Sequence, residues 1–311
     1  MKKIIFFILF SVFIAHANGQ NSELQNLINR AIAGDPSSQN GLGLYYIQNG
    51  NKIEAIEWWK KAAAQNHAGA SVNLGSYYLE AGSKEAKYWY LKGAELRDSL
   101  AYRGLGLYYD RIEKDTEASL KWLKKGANSG DVNSQRILGF WYYNQNDFSS
   151  AISFFSPAVE RGDKSSMKGI ADSYYNIKDY KNAIFWYHER AVQGDLESQC
   201  QLSYMYTYGQ GTDIDYKEAR YWLIRAAEGG LAQAQFNLAL FYSRGSIGLD
   251  QNEEKAFDWF KKAAAQGHPD SLNNVGVYYY NQGNFEEARY WWELAEQKGC
   301  KYAENNIRRL K

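Results

Sequence analysis

Proline is almost missing: there are three in 311 residues. A chain so poor in the residue that breaks helix interiors is free to be helical nearly throughout. Cysteine is almost missing too, with Cys200 and Cys300 the only pair. Charge imbalance is absent: 36 basic against 35 acidic side chains leave a formal +1, so nothing draws the chain as a whole to nucleic acid. No H-E-x-x-H, G-x-S-x-G or phosphate-loop pattern occurs anywhere, so the common hydrolase, metalloprotease and nucleotide-binding signatures are excluded. Long apolar runs are confined to one place. After the basic head Met1-Lys2-Lys3, residues Ile4 to Ala15 form an apolar run broken only by Ser11, and Ala15-His16-Ala17 follows in the A-x-A pattern of a signal-peptide cleavage site. The run is too short for a comfortable bilayer anchor, and no cysteine follows it as a lipoprotein signal would require. Residues 1–17 therefore read as a secretory leader. Its removal takes the formal charge to about −1 and leaves an exported protein, periplasmic or secreted, with no membrane span.

What the sequence does have is apolar bulk and repetition. Apolar residues make up 45% and aromatics 16%, with charged residues at 23%, a balance that folds rather than stays disordered. A first pattern, a small residue followed by Leu-Gly or a relative and then Tyr, recurs eight times. Its final column is Tyr46, Tyr78, Tyr109, Tyr142, Tyr174, Tyr206, Tyr242 and Tyr279. A second pattern follows each time: a small residue, an aromatic three later, another large residue, then two small ones. Its aromatic column is Trp58, Trp89, Trp122, Phe154, Trp186, Trp222, Trp259 and Trp291. Spacings of three and four place each set on one helix face. Most units close on glycine (Gly130, Gly162, Gly194, Gly230, Gly267, Gly299), which suits a left-handed helix end. Asp131, Asp163 and Asp195 then suit the start of the next helix. Each unit is expected to be an antiparallel helix pair that must stack on neighbours to bury its faces.

The pattern A-x3-L-G-x2-Y, then A-x2-W-x3-A-A and G, resembles the Sel1-like repeat, a relative of the tetratricopeptide repeat. The best matches begin at Ser198 and Ala234, and the resemblance runs from Asp35 to Gly299. It implies an all-α, α-α superhelical solenoid of eight helix pairs at 35–299, with capping helices at 22–34 and 300–311. Six units lack the G-x-G-x3-D loop of the best two, and the chain departs from cysteine-rich secreted relatives. Three stacked units between Cys200 and Cys300 put them on the order of 30 Å apart at about 10 Å per helix layer, beyond disulfide reach. Two free thiols are expected, with an intermolecular bond open to Cys300.

The remaining candidates for chemistry are weak. His67 and His268 fall where other units have Asp and read as helix caps; no carboxylate or cysteine joins them or His188 at metal-ligand spacing. Ser165 and Lys168 share the spacing of a serine β-lactamase nucleophile pair but lack its companion motifs. Asp213, Asp215 and Glu218 lack EF-hand order and read as an acidic helix start, which the helix dipole favours. No catalytic residue, metal or cofactor is expected. The resemblance implies that first helices line a concave face. Counting from Asp35, Asp131 or Asp163 as zero, its fifth positions include Arg103, Arg136, Lys168, Cys200 and Phe236, and its ninth positions Leu107, Phe140, Asp172 and Tyr204. Arg103, Arg136 and Lys168 read as a basic ladder beside apolar anchors, suited to an acidic segment of a partner protein.

A non-enzymatic periplasmic scaffold or adaptor is the expected function. Two alternatives stand beside it: an immunity protein against a periplasm-directed effector such as a phospholipase, and an enzyme of peptidoglycan or β-lactams. If the leader is cut as read, N-terminal sequencing of the exported protein starts at Asn18. Retention of Met1 in the exported form contradicts it.

Overall fold

A computed structural model describes residues 22–310; the leader expected at 1–17 lies outside the described residues. Helix α1 occupies 22–32. Eight pairs follow: α2 (Pro36–Gln48) with α3 (Lys52–Ala64), α4 (Ala68–Glu80) with α5 (Glu85–Glu95), α6 (Ser99–Tyr108) with α7 (Thr116–Asn128), and α8 (Val132–Asn144) with α9 (Phe148–Glu160). Then come α10 (Lys164–Asn176) with α11 (Tyr180–Ala191), α12 (Leu196–Tyr208) with α13 (Tyr216–Glu228), α14 (Ala232–Arg244) with α15 (Glu253–Ala265), and α16 (Pro269–Asn281) with α17 (Phe285–Gln297). A short α18 (Ala303–Arg308) closes the order. The fold is all-α: among the described residues there is no strand, and no helix is long and apolar enough to cross a membrane. The chain divides into two compact units that meet in sequence at Leu138 and Gly139, within α8.

Helix ends follow side-chain chemistry. Asp35, Asp98, Asp115, Asp147, Asp163, Asp179, Asp195 and Asp215 each accept backbone N–H bonds from the first turn of the helix they precede. His67 and His268 do the same with Nδ1. The closing glycines adopt positive φ, from 81° to 98°. Asn66 and Arg97 take that left-handed position where the first two repeats offer no glycine. Pro36 and Pro269 stand in the first turn of α2 and α16, where no backbone donor is lost; Pro157 alone sits inside a helix, α9.

The packing differs by one residue from the column expected to fill the core. Trp58, Trp89, Trp122, Phe154, Trp186, Trp259 and Trp291 are only half-buried, and Trp222 alone of that column is buried. The residue after each goes deepest: Trp59, Tyr90, Leu123, Phe155, Tyr187, Leu223, Phe260 and Trp292 are all at most 7% exposed. These large side chains need first helices without side chains opposite them. A Cβ on Gly75 would come within 2.6 Å of the Tyr90 ring, and one on Gly104 of the next first helix would strike the same ring from the other side. In the second unit Phe155 lies in the same way between Gly139 and Gly169. The half-buried column instead packs with the tyrosines between repeats: Trp89 joins Tyr46 and Tyr78, and Trp259 and Trp291 join Tyr242 and Tyr279. Lysine ammonium groups lie over the outer rings, 4.0 Å from Trp58, 4.2 Å from Trp122 and 3.7 Å from Trp259.

A second tie between repeats was not read from the sequence. Gln39, Gln135, Gln199 and Gln235 are buried, and each donates Nε2 to a carbonyl at the end of the preceding second helix (Ala31, Ala127, Ala191, Ala227) at 3.0–3.1 Å. Their donors are satisfied by backbone rather than water, as burial demands.

Gly75→Ala tests the close approach. Overpacking costs about 1–3 kcal/mol, against about 1 kcal/mol gained in helix propensity. Urea unfolding should show a net loss of stability; an unchanged or raised midpoint contradicts the tight seat for Tyr90.

Candidate functional site

The first helices carry the residues singled out for partner binding. Positions four apart on a helix share a face, so the fifth and ninth positions of one first helix stand together. The fifth row is largely engaged. In the first unit, Arg103 Nη1 lies 2.7 Å from Asp131 Oδ1. Asp131 is buried and also caps α8, accepting from the Ser134 N–H at 2.8 Å and its hydroxyl at 2.7 Å. Arg136 donates to Asn133 Oδ1 at 2.6 Å. In the second unit Lys168 Nζ pairs with Glu197, which holds the ammonium above its ordinary pKa through that hydrogen bond. Ser165 is exposed and lies outside this pair. Arg103 and Lys168 are thus neutralised by the repeats that follow them. A ladder read as open positive charge is partly a set of internal links.

The ninth row divides. Leu107 packs half-buried against the cluster around Leu105 and Tyr108. Asp172 is half-buried and accepts the Tyr187 hydroxyl at 2.7 Å. Burial raises its pKa more than the Tyr187 bond and Lys168 lower it. Phe140 and Tyr204, in contrast, keep 37% and 45% of their surface open. Phe140 rests edge-on against Phe155, with ring centroids 4.9 Å apart.

Near Tyr204 the face deepens into a groove of about 340 Å³ between α12 and α14. One wall carries Cys200, Gln201, Tyr204, Thr207 and Tyr208; the other carries Gln233, Asn237, Leu240, Phe241 and Arg244. Of these, Cys200 and Tyr204 were singled out from the sequence, and Leu240 stands at the ninth position of α14. Tyr208 and Arg244 stand in the last turn of their helices, four residues beyond the ninth position. Continuing the count by one more turn finds both. Burial pushes the Cys200 thiol up to about 11, so it stays protonated at neutral pH and is a poor nucleophile. Both cysteines are free. Asp215 accepts from the Lys217 and Glu218 N–H groups, capping α13. Among the described residues no three His, Cys, Asp or Glu side chains are arranged to hold a metal ion.

At the far end of this face, Phe236 stacks on His268, centroids 4.6 Å apart at 26°. His268 Nδ1 faces the Ser271 N–H at 3.3 Å and the Ser271 hydroxyl at 3.2 Å, while Nε2 faces Gln233 Oε1 at 3.4 Å. A ring that caps with Nδ1 carries its proton on Nε2 and must be neutral.

Comparison with known proteins adds the following. The profile described as Sel1 repeat matches residues 36–67, 68–98, 99–131, 177–194, 196–231 and 232–268, and one described as tetratricopeptide repeat matches 270–295. The full blocks coincide with helix pairs. A protective antigen of uropathogenic Escherichia coli with an SLR fold superposes with a TM-score of 0.74 at 27% identity, over 91% of this chain and 66% of that one. A Sel1 repeat protein from Oxalobacter formigenes superposes at 0.69 with 25% identity, over 93% and 91%. An F-box protein of Arabidopsis thaliana is 32% identical over 87 residues, 27% of this chain and 25% of its own length. The chain thus spans a quarter of the F-box protein and just under two thirds of the antigen.

The His268 cap gives a pH test. Desolvation lowers its pKa below the usual 6.5 against a smaller opposing effect of Asp270. The unfolded chain therefore takes up the proton first, and the stability held by the neutral cap is complete above about pH 6.5 and declines as pH falls through the lowered value. His268→Asn keeps a cap acceptor without a titrating group. Urea midpoints at pH 7.5 and 5 should fall less in this variant than in the parent; an equal fall contradicts the role.

Proposed function

Because this chain belongs to the Sel1 repeat family, we propose that it is a non-enzymatic interaction protein, an exported scaffold or adaptor that binds another protein along its first helices. The observation that carries this reading is the exposure of Phe140 and Tyr204 on first helices of the second unit, where Lys168 is spent on Glu197 within the protein. Exposed apolar side chains rimmed by polar ones mark interaction surfaces, and aromatic anchors dominate such contacts. Helix-pair repeats supply extended surfaces of this kind. The leader pattern of residues 1–17 supports export, and the periplasm of a Gram-negative envelope is the proposed compartment. The basic row retains a part: Arg103, Arg136 and Lys168 favour an acidic partner segment once their internal links are exchanged.

The test is capture from cell envelopes with the chain starting at Asn18. The double variant Phe140→Ser/Tyr204→Ser should lower capture of the identified partner at least about tenfold, the cost of losing hot-spot aromatics. Tyr221→Ser, an exposed aromatic of a second helix, should leave it unchanged. The reverse pattern overturns the face, and failure to capture any saturable partner overturns the reading. Capture of a phospholipase-type effector whose activity is abolished by binding would assign the immunity role instead.

A further inference from the structure

The groove between α12 and α14 differs from the rest of the first-helix face in three ways. The first is apolar exposure. Tyr204 and Tyr208 lie one turn apart, their rings 4.6 Å between centroids, and remain 45% and 59% exposed; Phe241 faces them from α14. Two rigid aromatic rings with open faces and polar tips form a platform for one large side chain. The second is charge. Arg244 is the only charged side chain on either wall, and among the described residues no carboxylate pairs with it. By contrast Lys168, on a first helix of the same unit, is paired with Glu197.

The third is an amide without a strong acceptor. In two other places an asparagine at the sixth position of a first helix donates Nδ2 to an asparagine at the fifth position of the preceding one: Asn73 to Asn40 at 2.9 Å, and Asn306 to Asn273 at 2.8 Å. In the groove the donor is Asn237, but Cys200 stands in the acceptor's place, so Nδ2 meets only a sulfur at 3.8 Å. Sulfur is a weak acceptor. Gln233 meanwhile fixes the Asn237 amide by donating to Oδ1 at 3.0 Å. The result is an amide held in place at the groove wall whose Nδ2 meets only a weak acceptor.

We propose that this groove docks an extended peptide segment of the partner protein, in which a large apolar side chain precedes an acidic residue. The apolar side chain seats on Tyr204, Tyr208 and Phe241. A backbone carbonyl accepts from Asn237 Nδ2. The carboxylate accepts from the Arg244 guanidinium, whose planar fork suits two parallel bonds. The volume of about 340 Å³ is at the small end of ligand pockets, enough for a few residues rather than a folded domain. This assignment rests on the interaction reading above and narrows it to one site and one ligand chemistry.

A bead-displayed random heptapeptide library is the probe, followed by fluorescence anisotropy with the enriched peptides. Enriched sequences should hold Asp or Glu within a few residues of an aromatic or large aliphatic one. Arg244→Glu and the double variant Tyr204→Ala/Tyr208→Ala should each weaken binding at least about tenfold. Cys200→Asn, which gives Asn237 a strong internal acceptor, should weaken it severalfold. All these side chains line an open groove, and unchanged circular dichroism confirms folding. Equal binding by Arg244→Glu, or enrichment without acidic residues, overturns the proposal. So does binding of chito-oligosaccharide rather than peptide at the same tyrosines, which would make the groove a sugar site. If envelope capture persists with Arg244→Glu, the groove is wrong while the interaction reading stands; if capture fails altogether, that reading fails first.

Discussion

Everything in this fold depends on letting one bulky side chain of a second helix reach between two first helices. Tyr90 between Gly75 and Gly104, and Phe155 between Gly139 and Gly169, are the clearest cases. Each such ring is shared by neighbouring repeats, so a repeat cannot complete its own core. The small residues are therefore not spacers. They set how closely successive pairs can sit, and the close seat buries the leucine column of the first helices, Leu42, Leu74 and Leu105 among them, completely or nearly so. Dispersion contacts at such density are lost quickly with small displacements, which makes the register between pairs specific.

Polar groups then lock that register. Aspartates close the helix starts, and buried glutamines bind back to the preceding helix end. Ion pairs such as Arg103 with Asp131 link a position on one first helix to the cap of the next. Such links pair these cations within the protein.

Helices, their order and their ends were legible because they are written in local chemistry: glycine at a left-handed end, aspartate at a start, small residues at spacings of three and four. The depth of burial was legible only to within one residue. Trp58 and Trp59 are identical in the sequence, and what separates them is that Trp59 faces Gly43 of the partner helix. Site residues were harder. Arg103, Lys168 and Tyr204 could be counted into rows, but nothing local says that Asp131 and Glu197 reach back to the two cations. The groove was hidden for a further reason. It arises where Cys200 interrupts an amide ladder and where Tyr208 and Arg244 extend the rows by a turn, and each is an ordinary residue by itself.

One wall of that groove begins unusually. The residue at the start of α14 is Leu231, which offers no side-chain bond to the first turn. A helix start without such an acceptor loses on the order of 1 kcal/mol relative to one begun by aspartate. Opening of that turn is correspondingly easier, and its amides should exchange with solvent sooner than those of α12, which begins at Asp195. The wall that carries Asn237 and Arg244 is thus the more pliant one. A ligand spanning both walls would recover order as well as contacts, trading the freedom of α14 against affinity.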